Sequence, residues 1–145
     1  MIRRLCLGLV FALFLATSAH AEMVSIAGDK VNMRSGPGEQ HAILWEIRKG
    51  YPLKIIARQG KWLKVRDFEN DTGWVYKPLV SREAHLVVNR PRVNIRSGPG
   101  EKYGLVGKAE YGVVLKTVQR KNGWVKVRHE NGLSGWVLRT LLWGW

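Results

Sequence analysis

Two stretches of this chain are copies of one another, and that duplication constrains the fold more than any other feature. An offset of 62 residues aligns residues 31–80 with 93–142 without a gap, and 20 of the 50 aligned pairs are identical. VNMRSGPGE at 31–39 falls on VNIRSGPGE at 93–101, Gly50 on Gly112, Trp62 on Trp124, and Lys64-Val65-Arg66 on Lys126-Val127-Arg128. Gly73-Trp74-Val75 falls on Gly135-Trp136-Val137, and upstream the same offset pairs Met23 with His85. Two copies are fewer than a solenoid needs, because its repeats bury their faces on one another. A unit of about 58 residues can just close a core of its own. The expected organisation is two small domains, 22–80 and 85–142, with a linker at 81–84 and a short tail at 143–145.

Tight turns punctuate each unit. Ser35-Gly36-Pro37-Gly38 and Ser97-Gly98-Pro99-Gly100 are turn clusters, followed by reversals at Lys49-Gly50 and Tyr111-Gly112. Further reversals fall at Gln59-Gly60 and Asn122-Gly123, then at Asn70–Gly73 and Asn131-Gly132. Short β-rich runs lie between them, at 24–26, 53–56, 63–65 and 74–76, and no longer helical period appears after the first segment. The chain therefore reads as all-β, each unit a small barrel or sandwich. Alternation in Trp62-Leu63-Lys64-Val65-Arg66 puts Leu63 and Val65 on a core face. Trp62, Lys64 and Arg66 take the other face, and Trp124, Lys126 and Arg128 repeat that stripe.

Residues 1–21 are set apart from this pattern. Arg3 and Arg4, the apolar run 5–16 and Ala19-His20-Ala21 form the n-region, h-region and small-x-small cleavage pattern of a signal peptide. The run is shorter than the ~20 residues of a spanning helix; an uncleaved anchor is the alternative. Cleavage near Ala21 removes Cys6, the only cysteine, leaving no thiol nucleophile, disulfide or cysteine metal ligand. It also removes Arg3 and Arg4, lowering the formal net charge from +13 to +11. In the cytoplasm such a balance would point first to nucleic acid. For an exported protein it points to cell-wall carboxylates, lipopolysaccharide phosphates or anionic lipid heads, and no nucleic-acid partner is expected. The bland alternative is that the charge serves solubility.

These residues resemble the bacterial SH3 (SH3b) domain. The pattern runs through Asn32–Gly38, Gly50, Trp62–Val65, Gly73–Val75 and Leu79, and again through Asn94–Gly100, Gly112, Trp124–Val127, Gly135–Val137 and Leu141. The resemblance implies two tandem small SH3-like β-barrels, each of five to six strands with a long first loop. It also implies a non-catalytic role in holding a protein on peptidoglycan or on a protein partner. By analogy with SH3 domains at large, Trp62 and Trp124 would line a groove with the first loop. The acidic loop residues that recruit basic proline-rich peptides are not evident, so that ligand is not expected.

Two readings stand for the stripe. Trp62 and Trp124 would stack on a sugar ring or peptide while Lys64, Arg66, Lys126 and Arg128 pair with a carboxylate; or each tryptophan covers the open end of its barrel. Tyr76, whose counterpart is Leu138, and Tyr103, whose counterpart is His41, complete the candidate ligand-binding set, although a solvated loop residue is the plainer reading of Tyr103. Trp74 and Trp136 are expected to pack against the first loop, and Arg34 and Arg96 to satisfy that loop's backbone. Asp67, Glu69 and Asp71 read as a solvated loop, and Trp143-Gly144-Trp145 as a cap on the second barrel or an interfacial insertion.

No catalytic residues, metal site or cofactor are expected. His41, His85 and His129 have no metal-site spacing, and no G-x-S-x-G or H-E-x-x-H occurs. The expected function is an exported, non-enzymatic, monomeric binding protein, periplasmic or extracellular, whose partner is peptidoglycan or another envelope component. The alternatives are an adaptor for an envelope protein and weak peripheral contact with anionic membrane.

Overall fold

The computed structural model describes residues 22–145. The expected signal peptide, residues 1–21, lies outside the described residues. Fourteen strands follow in two series of seven. The first series is β1 (Met23–Ile26), β2 (Lys30–Arg34), β3 (Ile43–Arg48), β4 (Pro52–Gln59), β5 (Trp62–Arg66), β6 (Thr72–Tyr76) and β7 (Val80–Ser81). The second is β8 (His85–Val88), β9 (Arg92–Arg96), β10 (Leu105–Glu110), β11 (Val114–Lys121), β12 (Trp124–Arg128), β13 (Ser134–Leu138) and β14 (Leu142–Gly144). A single 3-10 turn, Lys77–Leu79 or Arg139–Leu141, precedes the last strand of each series.

Each series forms one antiparallel sheet, in the order β3-β2-β6-β5-β4-β1-β7 and, equivalently, β10-β9-β13-β12-β11-β8-β14. The fold is all-β with two tandem SH3-like barrels. The count of seven strands exceeds the expected five to six, because a short last strand pairs back on the first, as Ile26 with Val80 and Leu142 with Val88. Single-residue bulges bend the sheets at matched places: Leu44 and Ile56 in one, Val106 and Val118 in the other. Each bulged residue points an apolar side chain outward, which accounts for four of the exposed large hydrophobics.

The cores are separate. Val24, Ile26, Val31, Met33, Leu53, Leu63, Val65 and Val75 form the first, and Leu86, Val88, Val93, Ile95, Leu115, Val125, Val127 and Val137 the centre of the second. Leu63 and Val65 are 1% and 0% exposed, as alternation requires, and each contributes roughly 1.5–3 kcal/mol through burial. The segment between the barrels is not slack: buried Ser25 Oγ donates to Glu83 O at 2.8 Å and lies 3.2 Å from Ser81 Oγ. The tail is held as a strand. Arg139 donates to Leu142 O and Gly144 O, each at 2.8 Å, and Thr117 Oγ1 donates to Trp145 O at 2.5 Å.

Candidate functional site

Register places the stripe residues. Directly opposed residues on antiparallel strands share a sheet face. Trp62 opposes Tyr76, Lys64 opposes Trp74, and Trp74 in turn opposes Arg34. In the second barrel the pairs are Trp124 with Leu138, Lys126 with Trp136, and Trp136 with Arg96. The outer face of β5, β6 and β2 thus carries Trp62, Lys64, Arg66, Tyr76, Trp74 and Arg34 together. Trp74 and Trp136, expected to pack against the first loop, sit in the same row as the candidate lysines. Trp136 is only 8% exposed on this outer face.

Arg34 and Arg96 do what the glycine-rich loop needs. Arg34 Nη1 donates to Glu39 O and His41 O at 2.9 and 3.0 Å; Arg96 Nη1 donates to Glu101 O and Tyr103 O at 3.2 and 2.9 Å. The ring after the turn folds back on the loop: a Cβ on Gly98 would sit 2.5 Å from the Tyr103 ring, and one on Gly36 would meet His41 equally closely. Tyr103 is therefore turned toward its own loop, with Lys102 Nζ 5.3 Å from its ring centroid. It does not line the depression beside Trp124.

That depression, about 160 Å³, is walled by Trp124, Leu138 and Leu141 and edged by Arg92, Asn94, Arg96 and Glu101. In the first barrel Tyr76 replaces Leu138, and its ring packs on Trp62 with centroids 5.4 Å apart and planes 35° apart. One copy offers a groove and the other an aromatic platform. The stripe does not act as one patch, because four residues of strand span about 13 Å. Arg128 consequently lies in a different hollow from Trp124.

The acidic stretch is a loop, as expected, with Glu69 and Asp71 exposed and Asp67 half-buried. Asp67 Oδ1 accepts from the backbone N–H of Glu69 and Asp71, each at 2.9 Å, and burial raises its carboxyl above the usual range. Asp67, Glu69 and Asp71, with Glu46, edge a hollow of about 190 Å³ over Met33, Trp45 and Tyr51. Burial, then the Asp67 and Glu69 charges, push the Tyr51 hydroxyl far up. In the second barrel Leu133 stands where Asp71 does and lies over Gly107, the counterpart of Trp45. The signal was available in those aligned pairs, but only their proximity in space gives it meaning.

Comparison with known proteins places this architecture. The profile of the bacterial SH3 domain family matches residues 27–82 and 89–144. The chain belongs to the bacterial SH3 domain family. It is 31% identical over 132 residues to the candidate N-acetylmuramoyl-L-alanine amidase YrvJ of Bacillus subtilis, a match covering 83% of this chain and 25% of that protein. It is 31% identical over 48 residues to the candidate cell wall amidase LytH of Staphylococcus aureus, covering 32% of this chain and 16% of LytH. This bacterial SH3 protein thus spans about a quarter, or less, of the length of these relatives. Among solved structures it is similar to NlpC1 of Trichomonas vaginalis, at 13% identity and a TM-score of 0.39 over 88% of this chain and 48% of that one. An NlpC/P60 family protein of Bacillus cereus gives 13% identity and a TM-score of 0.40 over 86% and 56%.

Proposed function

We propose that this chain is an exported, non-catalytic binding protein of the cell envelope, and that its two barrels hold peptidoglycan through the outer faces bearing Trp62 and Trp124. The observation that carries the reading is the row of aromatic and cationic side chains repeated on both barrels, with a groove beside Trp124. A tryptophan face stacks on a sugar ring or peptide plane. Lys64 and Lys126, with Arg96 at the groove's edge, supply cations for the carboxylates of stem peptides. The relatives named as cell wall amidases support the same partner; their similarity to this chain lies in the repeated barrels, and the activity in their names is not carried over. Two linked weak sites gain about 10²–10⁴ in avidity when both engage.

Sedimentation with insoluble peptidoglycan across a salt series tests this. The protein is expected to pellet at physiological salt, where charges beyond ~8 Å are screened, and Trp62→Ala/Trp124→Ala to lose most of that binding. Failure to pellet even at low salt would sink the proposal. Binding that salt abolishes and the tryptophan changes leave intact would reduce it to charge attraction.

A second reading, docking of an envelope protein, rests on the edge strands. β3 and β10 end their sheets, and Ile43 (52% exposed), Trp45 (45%) and Leu105 (50%) stand out on them. Such edges accept an added strand. Ile43→Lys/Leu105→Lys leaves peptidoglycan binding intact if the Trp faces are the site, and lowers it if the pellet forms through a docked protein. The lipid reading is weaker: Trp143 and Trp145 are partly buried, and Trp145 N donates to His85 O at 3.1 Å.

A further inference from the structure

The two barrels meet at two junctions that are counterparts under the 62-residue offset, and only one of them is filled. At the first, the β5–β6 loop of the first barrel reaches the β10–β11 turn of the second, and Phe68 packs on Tyr111 with ring centroids 5.2 Å apart. Tyr51 backs Phe68 at 6.2 Å. At the second, the β3–β4 turn of the first barrel faces the β12–β13 loop of the second. There the counterpart of Tyr111 is Lys49 and the counterpart of Phe68 is Glu130. The aromatic pair is replaced by charges, and a cleft of about 380 Å³ stays open.

Arg48, Lys49, His85, Lys116, Arg128 and His129 converge on this cleft from both barrels. Its volume falls in the range of small-molecule pockets. Among the described residues none of Arg48, Lys49 and Arg128 is in an ion pair. Lys116 is paired with Glu83 at 2.5 Å. Four cations stand against two carboxylates, Glu83 and Glu130, which leaves a formal surplus of two positive charges, the histidines not counted. The turn itself is held close: Gly50 has φ +85°, and a Cβ there would lie 3.0 Å from the His85 ring. In the other copy Gly112 has a similar φ of +82° and nothing within 4 Å.

We propose that this inter-barrel cleft binds a phosphate monoester. A single carboxylate offsets half of the surplus charge, whereas a phosphate monoester carries about −1.5 to −2 at neutral pH and matches it. Arg48 and Arg128 supply forked donors for its oxygens, and Lys49 a compact point charge. Because the ligand bridges both barrels, its binding also fixes their relative orientation. The site lies about 13 Å along β12 from Trp124, in a different hollow, and does not depend on peptidoglycan binding.

The decisive variant copies the filled junction into the open one. Lys49→Tyr/Glu130→Phe removes one positive and one negative charge, so net charge is unchanged while the cleft closes. Inorganic phosphate is titrated against chloride at matched ionic strength, following the amide resonances of Lys49, Gly50 and His129. Saturable shifts confined to these positions are expected. The exchange variant is expected to weaken binding by at least about tenfold, the scale of one lost charge-assisted hydrogen bond. Equal, unsaturating shifts for both salts, or an exchange variant that binds as well as the native chain, would overturn the site. Should that variant lose its dispersed spectrum, Lys49→Gln/Arg128→Gln is judged by the same criterion.

Glycerol 3-phosphate and phosphatidylcholine vesicles containing phosphatidic acid then separate the sources. Vesicle binding that the exchange variant loses puts the phosphate on a lipid. Binding of the soluble ester alone puts it on a soluble or polymeric partner. Absence of binding to ester and vesicle alike refutes the proposal even where inorganic phosphate binds.

Discussion

Gly98 and Gly135 show how the surroundings of an absent side chain decide its importance. A methyl group on Gly98 would meet the Tyr103 ring at 2.5 Å, but that ring is 36% exposed and can swing into water. A methyl on Gly135 would meet Arg96 O at 2.7 Å and Ile95 Cγ2 at 2.6 Å, one of them backbone and the other core. Gly98→Ala is therefore expected to cost about 1 kcal/mol or less, and Gly135→Ala about 2–3 kcal/mol, as overpacking does when the neighbour cannot move. Urea unfolding of the two variants checks the order. Equal midpoints would show that β9 gives way beneath Gly135 or that the Tyr103 ring is held. Residue identity also separates the two copies, because Tyr76 against Leu138 turns one Trp face into a platform and the other into a groove.

Among the elements, the first loop depends on one guanidinium per barrel. Its eight residues between β9 and β10 have few backbone bonds of their own, among them Gly100 N to Gly98 O at 3.0 Å and Tyr103 N to Gly100 O at 3.3 Å. Arg96 fastens the loop's far end to the sheet by two carbonyls. Arg96→Ala is expected to speed amide exchange at Gly100 and Tyr103 by about tenfold or more, the loss of roughly 1–2 kcal/mol of local stability. Amides of β12 should be unaffected. Unchanged loop exchange would mean that the ring on Gly98, not the arginine, holds the loop. The bulges act at the same scale: Leu44, Ile56, Val106 and Val118 bend the sheets into barrels and leave apolar side chains outside.

At the scale of the whole molecule, two separate cores are held together by a thin seam of charges and rings. Glu83, between the barrels, pairs with Lys116 of the second, and that hydrogen bond holds its carboxyl below the ordinary 4.5. A carboxyl whose pKa is depressed on folding stabilises the protein above its unfolded pKa, and that contribution is lost as pH falls through the folded value. Glu22, bound by Arg58 and Arg82, shifts in the same direction. Asp67, raised by burial, opposes them: its contribution is present at low pH and lost as pH rises through its folded pKa. Stability is expected to fall as pH drops below about 4.5, and Glu83→Gln to flatten part of that fall. Urea midpoints at neutral pH, near 4.5 and one unit lower test this. A Glu83→Gln profile parallel to the native one would show that the pair is solvated away.

Much of this was legible because the sequence says it twice. Alternation in Trp62–Arg66 and Trp124–Arg128 set the core face, since a strand has no other way to bury Leu63 and Val65. β3 and β10 were not foreseen as strands, because their bulges interrupt the period that reveals a strand. The last strands were missed because two or three residues carry no period. The sequence alone determined the duplication, the all-β class and the cation-and-tryptophan stripe, all of which follow from local spacing. Only the tertiary structure decided which of those side chains stand together. Trp124 and Arg128 share a face but lie about 13 Å apart along the strand, while Arg128 and Lys49 line one cleft only because two barrels dock. Proximity between distant residues is set by strand register and by the packing of the two barrels, and neither is written in any one segment.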